Sequence, residues 1–292
     1  MKVLVTGISG QLGYCLSKTI PKGIEMIGVT HKEMDLSDAD SIKRAWLAVS
    51  PDAVINAAAY TAVDKAEAEK EQAYTVNSEG VDVLAALAAQ AGIPLIHIST
   101  DFVFDGRKSS PLGPEDKVAP LNVYGASKLE GEKAVLRHSQ HYIVRTGWVY
   151  AEHGENFVKT MLRLGGDRSE LRVVVDQIGT PTYALNLAEM IWILLSQRPS
   201  IQIFHFSDAG VASWYDFAEA IFAEAEALSL IDKKPLLKPI TTDEYPTPAK
   251  RPSFSVLDKS LTWSTLPVVP IHWRHALQTM LKRLKAVSDS SI

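Results

Sequence analysis

The chain has 292 residues, 46% of them hydrophobic and 22% charged, enough for one large domain or two modest ones around a cleft. A net charge of −4 and a pI near 6.1 give no basic footprint for nucleic acid or an anionic membrane surface, so any phosphate recognition should be local and the ligand a small molecule. Cys15 is the single cysteine and excludes an intramolecular disulfide; with a first apolar run too short for a signal-peptide core and no stretch of membrane-spanning length, this predicts a cytoplasmic protein without membrane or nucleic-acid partners.

In chain order, the apolar run Val3 to Thr6 breaks at once into Gly7, Gly10 and Gly13. A strand that ends in glycines at this spacing suits a phosphate cradle. Gly7 allows the tight turn, Gly10 lets backbone approach a pyrophosphate, and Gly13 lets the next helix pack close to the sheet. The helix from Leu12 to Thr19 would then face the anion with its unpaired N–H groups, which adds Gln11 and Leu12 to the candidate cofactor contacts. An ordinary strand-to-helix turn carries the same glycines, so the motif needs its context.

The second strand, Glu25 to Val29, runs into Thr30-His31-Lys32, where an acid would usually hold the ribose hydroxyls of NAD. No acid stands there. Lys32 is a candidate partner for a 2′-phosphate, against a simple solvated lysine, while Glu33 is near enough to leave the preference between NADPH and NADH open. Asp35 and Leu36 are placed to reach an adenine. A helix from Ala39 to Ala48 follows Ser37 or Asp38 as its cap, and the strand Ala53 to Asn56 ends in Ala57, Ala58 and Ala59, small enough for a cofactor to lie on backbone.

An Ala-rich helix from Gln72 to Ala91 stops at Gly92 and Pro94, and the strand Leu95 to Ser99 closes on Thr100 and Asp101. In the helix from Val123 to Arg137, Tyr124 and Lys128 share a face four residues apart. A lysine beside a tyrosine favours the phenolate and lowers the phenol pKa, and it can also hydrogen-bond a ribose. Such a pair is common on helix surfaces. Joined to the glycine loop and the Ser/Thr strand end at Ser99-Thr100, the pair Tyr124 and Lys128 reads as catalytic rather than structural.

With Tyr142 to Thr146 as the fifth strand, each strand is short and apolar rather than alternating, as a parallel sheet buried on both faces requires. Regular alternation with helices predicts a doubly wound α/β fold of the Rossmann type. After Trp148 the elements shorten, interrupted by Gly165-Gly166, Gly179-Thr180-Pro181 and the proline-rich stretch Pro235 to Pro252. Residues 1–148 are therefore expected to bind the dinucleotide, with parts of about 173–200 returning to them, and 149–292 to form a smaller, interleaved substrate lobe whose polar end, Ser288 to Ile292, frays.

These residues carry a family resemblance. The glycine loop with Thr100, Tyr124 and Lys128 resembles the extended short-chain dehydrogenase/reductases. More narrowly, Asn56 to Glu67, Ser99 to Gly106, Pro120 to Gly125, Asn156-Phe157, Asp176 to Pro181 and Tyr245 to Pro252 resemble the dTDP-4-dehydrorhamnose reductases across nearly the whole chain. The resemblance implies hydride transfer from NADPH, with NADH also accepted, to C4 of dTDP-4-dehydro-L-rhamnose. It makes Tyr124 the proton donor, Lys128 its tuner and ribose anchor, and Thr100 the group that orients the carbonyl. It extends the substrate contacts to Phe102 and Asn156; Trp148 is a candidate sugar-contacting wall by its place at a strand's carboxyl end, and the rigid guanidinium fork of Arg251 suits a nucleotide diphosphate, although an arginine closing a proline-rich loop would look the same. Relatives are described with magnesium at a subunit contact, which leaves magnesium and a homodimer open without identifying a site here.

Phe102, Gly147 and Ala151 stand where the family commonly has tyrosine, serine and glycine, which bears on loop shape near Trp148 rather than on the reaction class. His138 with His141, and His272 with His275, lack a carboxylate or cysteine set at ligand spacing and read as surface or packed histidines, so no metal ligand is assigned. Trp192, Trp214 and Trp273 read as core. Two other classes share parts of the pattern: a nucleotide-sugar epimerase or dehydratase, which would show no net nicotinamide oxidation, and a non-catalytic NADP-binding regulatory subunit, which has little use for the full catalytic set.

Overall fold

The structure is a computed structural model and describes residues 1–289, so part of the expected fraying end, 290–292, lies outside the described residues. The first half alternates as expected: β1 (Lys2–Thr6), α1 (Gln11–Lys18), β2 (Glu25–Val29), α2 (Ala39–Val49) and β3 (Ala53–Asn56). Next come the short helices α3 (Val63–Ala66) and α4 (Lys70–Tyr74), then α5 (Gly80–Gln90), β4 (Leu95–Thr100), α6 (Val123–Leu136) and β5 (Tyr142–Thr146).

Residues alternate between the two faces of each strand. Val3, Val5, Ile55, Ile96 and Val144 join one core with Leu12 and Leu16 of α1, while Leu4, Val54, Leu95 and Ile143 join a second with Ile42, Trp46 and Leu84. Both faces are covered, which is why the strands read as continuous apolar runs.

One expected element is interrupted. The helix over Gln72 to Ala91 contains a π turn at Thr75–Glu79 between α4 and α5. Inside it, the Asn77 amide turns to the backbone of Tyr60, accepting from its N–H at 2.9 Å and donating to its carbonyl at 3.0 Å. A π turn inserts one residue into the helical ladder, and here it aims a buried amide at a loop beside the site.

Beyond β5 lie β6 (Val149–Tyr150), α7 (Phe157–Asp167), β7 (Glu170–Val174), β8 (Ile178–Gly179), β9 (Thr182–Tyr183) and α8 (Ala184–Gln197). They are followed by β10 (Ile203–His205), β11 (Ala212–Ser213), α9 (Trp214–Ala227), β12 (Leu236–Ile240), α10 (Ser260–Thr265) and α11 (Trp273–Asp289). The main sheet has six strands in the order β10-β5-β4-β3-β1-β2, every pair parallel. The sixth strand, β10, has no sequence signal: Ile-Phe-His is too short to show a period. The segment that rejoins the sheet is thus α8 with β10, and Trp192 of α8 donates to the Leu16 carbonyl and the Thr19 hydroxyl at the end of α1. Residues 170–183 pair instead with β12, β11 and β6 in small two-stranded sheets.

Strand order reverses between β1 and β3. In open α/β sheets the ligand crevice opens beyond the carboxyl ends of the strands at such a switch point. No helix among the described residues is long and apolar enough to cross a membrane.

Candidate active site

A cavity of about 740 Å³ opens at the switch point, lined on one side by the glycine loop and the β3 exit, and on the other by residues 146–149 and Trp214. Gly7 sits in the left-handed region at φ +67°, and a Cβ there would stand 2.8 Å from the Ala58 nitrogen. A Cβ on Gly13 would stand 2.3 Å from the Gly7 carbonyl oxygen. Both contacts are to backbone, so neither position can take a side chain without moving the wall. No side chain caps α1, leaving the N–H groups of its first turn facing the cavity beside Gly10. A pyrophosphate suits this cradle: positive dipole, free donors and close backbone.

Among the expected cofactor contacts, Gly7, Gly10, Gln11, Leu12, Asp35, Leu36, Ala57, Ala58 and Ala59 line the cavity. Gly13 lies one layer behind and shapes the loop. Lys32 is exposed and does not line it, whereas His31, which sequence reasoning passed over, does. Glu33 turns back to accept from the Thr30 N–H and hydroxyl at 2.8 and 2.9 Å, which holds its carboxyl below the usual range. That carboxylate is spent on its own turn.

Thr100, Phe102, Tyr124, Lys128 and Trp148 all line the cavity. Asn122 caps α6 by accepting from the Gly125 N–H at 2.8 Å, and its amide donates to the Lys250 carbonyl at 2.8 Å, tying the helix start to the proline-rich segment. A Cβ on Gly125 would stand 2.2 Å from the Phe102 carbonyl oxygen. The glycine between Tyr124 and Lys128 therefore lets α6 meet the β4 exit closely, which sets Tyr124 beside Thr100 on the cavity wall. The Phe102 ring meets the Tyr124 ring edge-on at 5.8 Å between centroids.

The phenol differs from expectation. Burial pushes the Tyr124 pKa up to about 12, only partly countered by the neighbouring Thr100 hydroxyl and reinforced by Asp101. Lys128 does not depress it: the Lys128 Nζ donates to the Ile98 carbonyl at 2.6 Å and lies 3.2 Å from His97 Nε2. Burial brings the lysine itself down to about 7, against the pull of Glu132. In this state the tyrosine is a protonated donor, and near neutral pH the lysine divides between ammonium and amine.

Thr100 Oγ1 donates to Asp101 Oδ1 at 3.0 Å and accepts from the Phe102 N–H at 3.2 Å. Burial raises the Asp101 carboxyl to about 6. Asp101 Oδ2 and Thr146 Oγ1 are buried without a hydrogen-bond partner among the described residues, and both residues line the cavity. Orphaned polar atoms of this kind suit a hydroxyl-rich ligand. A Cβ on Gly147 would stand 2.6 Å from the Asp101 carboxylate, so glycine here leaves that carboxylate open on the side where a serine would crowd it.

Trp148, at φ +51°, stacks on Trp214 at 3.5 Å and 3°. Gly179 makes the stack feasible, since a Cβ there would stand 2.6 Å from the Trp148 ring. Trp214 is thus a cavity wall rather than core. Its place as the first helical residue, inside the Ser213–Asp216 capping box, puts its ring at the helix start. Trp192 and Trp273 are buried in the main core.

Two expected substrate contacts are not brought to the cavity lining. The Asn156 amide donates to Gln11 Oε1 at 3.0 Å and the Ala151 carbonyl at 2.7 Å while its oxygen caps α7. Arg251 grips Asp64 through both terminal nitrogens, at 3.0 and 2.8 Å, and also bonds Thr247 and the Ala249 carbonyl. Its fork closes the proline-rich loop onto α3. Among the described residues no group of three or more His, Cys, Asp and Glu could hold a metal ion.

A family model described as RmlD substrate binding domain matches residues 1–286. A dTDP-4-dehydrorhamnose reductase of Aggregatibacter actinomycetemcomitans is 42% identical over 96% of this chain and 98% of its own length. A solved dTDP-4-dehydrorhamnose reductase from Clostridium acetobutylicum superposes with a TM-score of 0.91 at 39% identity, covering 98% of this chain and 100% of that one. Another from Bacillus anthracis, in complex with NADP, gives 0.90 at 35% identity over 97% and 99%.

Proposed function

The chain belongs to the family described as RmlD substrate binding domain, and we propose that it reduces the C4 carbonyl of dTDP-4-dehydro-L-rhamnose to give dTDP-L-rhamnose, with NADPH as the reductant. The observation that carries this reading is the meeting of Thr100, Tyr124 and Lys128 on one wall of the cavity that also holds the glycine cradle.

NADPH, when bound, supplies the hydride for the carbonyl carbon. Gly7, Gly10 and the first N–H groups of α1 hold its pyrophosphate, and the backbone of Ala57 to Ala59 forms the floor beneath it. Asp35 and Leu36 stand at the adenine end, and Lys128 serves the ribose. His31 and Lys32 favour a 2′-phosphate without demanding it, so NADH is accepted as well.

The sugar nucleotide occupies the opposite wall. Residues 149–183 and 206–289 supply most of this substrate side, and α8 with β10 belongs to the cofactor half. Trp148 on Trp214 gives a flat apolar surface for the sugar ring, while Asp101 and Thr146 take hydroxyls. Thr100 orients the carbonyl oxygen, and Tyr124 delivers its phenolic proton to that oxygen as charge develops there. A phenol whose pKa burial has raised to about 12 stays protonated until a strongly basic alkoxide forms.

The test is Tyr124→Phe. The ring and its contact with Phe102 remain while the transferable proton is lost, so kcat should fall by about 10²–10⁴-fold with NADPH affinity nearly unchanged. A variant that turns over at close to the wild-type rate would remove Tyr124 from the chemistry.

A further inference from the structure

Among the buried polar residues of the main sheet, Thr6 in β1, Asn56 in β3 and His97 in β4 occupy neighbouring strands. Thr6 pairs with Asn56, and Asn56 with His97, so the three stand side by side across the sheet. They form a continuous line of hydrogen bonds. The Ala58 N–H donates to Thr6 Oγ1 at 3.2 Å, and Thr6 Oγ1 donates to Asn56 Oδ1 at 2.6 Å. Asn56 Nδ2 lies 3.0 Å from His97 Nδ1, and His97 Nε2 lies 3.2 Å from Lys128 Nζ. One end is the lysine of the candidate catalytic set, and the other is the backbone nitrogen against which Gly7 packs.

We propose that His97 is a positioning residue that serves Lys128 both as amine and as ammonium by exchanging ring tautomers, and that it passes each exchange through Asn56 and Thr6 to the cofactor cradle. The inference deepens the reductase reading and depends on it only for its kinetic arm.

The donors and acceptors define two settings. Asn56 Nδ2 can only donate, so in the arrangement seen here His97 Nδ1 accepts and the ring proton is on Nε2, where it meets the lone pair of a neutral Lys128. Every junction from Lys128 to Ala58 then has one donor and one acceptor. Adding a proton to Lys128 removes that lone pair. His97 Nε2 must now accept, its proton moves to Nδ1, and Asn56 turns its amide over to offer Oδ1. Thr6 Oγ1 then faces two donors, Asn56 Nδ2 and the Ala58 N–H, and its own hydrogen leaves the line. The ammonium setting keeps all four junctions but leaves the Thr6 hydroxyl hydrogen without an acceptor in the line, which favours the amine.

His97 itself does not charge across this exchange: burial first, and Lys128 second, hold its pKa well below the usual value. The remaining titratable groups about Lys128 are Tyr124 and Glu132 on α6, Asp101 at the β4 exit and Arg145 on β5. Glu132 favours the ammonium, but Arg145 holds that carboxylate at 2.7 and 2.9 Å.

The experiment is ¹⁵N NMR of the full chain labelled at histidine, without substrate, from pH 5.5 to 9, with the His97 signal identified by its loss in His97→Gln. His97 should stay neutral throughout yet pass from the Nε2–H tautomer at high pH to Nδ1–H at low pH, with its midpoint near pH 7, and Lys128→Met should abolish that transition. A single tautomer over the whole range, or the same transition in Lys128→Met, would overturn the proposal.

The kinetic arm follows NADPH affinity and kcat against pH in His97→Asn, whose amide keeps the contact to Asn56, and in His97→Gln, whose amide keeps the contact to Lys128. Loss of the Lys128 contact should raise the midpoint of both profiles by about one pH unit in His97→Asn, with His97→Gln closer to wild type. Profiles superposing on wild type in both variants would also overturn it. A protein that shows the tautomer exchange but consumes no NADPH with the keto sugar would leave this inference standing and remove the reductase reading.

Discussion

The two walls of the cavity are built from different materials. The wall at the glycine loop, proposed for the cofactor, is backbone packed on backbone, where the missing Cβ atoms of Gly7 and Gly13 set the spacing. The opposite wall is made of side chains, Trp148 stacked on Trp214, and the Asp64–Arg251 pair closes the proline-rich loop outside the lining. A backbone wall has no rotamers with which to absorb an added atom, so it should fail abruptly. A wall of side chains can repack and should fail by degrees.

Gly7→Ala tests the abrupt wall. Its methyl would meet the Ala58 nitrogen at 2.8 Å from a backbone at φ +67°. Overpacking and left-handed strain of about 1–3 kcal/mol each predict a loss of NADPH affinity of about a hundredfold, read by fluorescence titration. An affinity within threefold of wild type would show that the cradle yields and that the contrast between the walls is false.

Trp214→Ala tests the graded wall. It removes the ring beneath Trp148 but leaves the cradle untouched, so KM for the sugar nucleotide should rise about tenfold, in line with about 0.5–1.5 kcal/mol for an aromatic pair plus lost burial, with the NADPH Kd unchanged. Equal losses for both ligands would mean that the stack supports the whole cavity instead.

Asp64→Asn should do less. The pair it breaks is partly exposed, Asp64 at 39% and Arg251 at 24%, so a change in KM of about threefold that shrinks with added salt is expected. A salt-independent loss larger than that for Trp214→Ala would make Arg251 a substrate ligand after all.

The smallest effect falls on Lys32→Ala. An exposed charge pair is worth about 0–1 kcal/mol, a factor of five at most, so the variant should lose part of a mild NADPH preference and nothing toward NADH. His31→Ala should do the same. A strong NADH preference in wild type would place an acid on the ribose, although Glu33 is held by Thr30.

The same contrast governs how much was legible in the sequence. Backbone walls need glycines and small residues at fixed spacing in short segments, so Gly7, Gly10, Gly13 and Ala57 to Ala59 announce the backbone wall directly. Tyr124 and Lys128 are legible because a single helix carries both. The opposite wall is assembled from residues 146–149 and Trp214, which no local period links. Trp214 accordingly reads as an apolar helical residue until Gly179 is seen to make room for the stack. Arg251 and Asn156 are charged or polar beside the site, but their partners are protein: Asp64 in one case, Gln11 and Ala151 in the other. The strand β10 and the π turn around Asn77 depend wholly on tertiary partners.

The central claim is net reduction of a keto sugar nucleotide, and the direct measurement is NADPH absorbance on mixing the full chain with dTDP-4-dehydro-L-rhamnose, with the sugar product identified. One NADPH should be oxidised for each dTDP-L-rhamnose formed, and the rate should collapse in Tyr124→Phe. Conversion of the sugar without net NADPH oxidation would instead make this cavity the site of an epimerase or dehydratase.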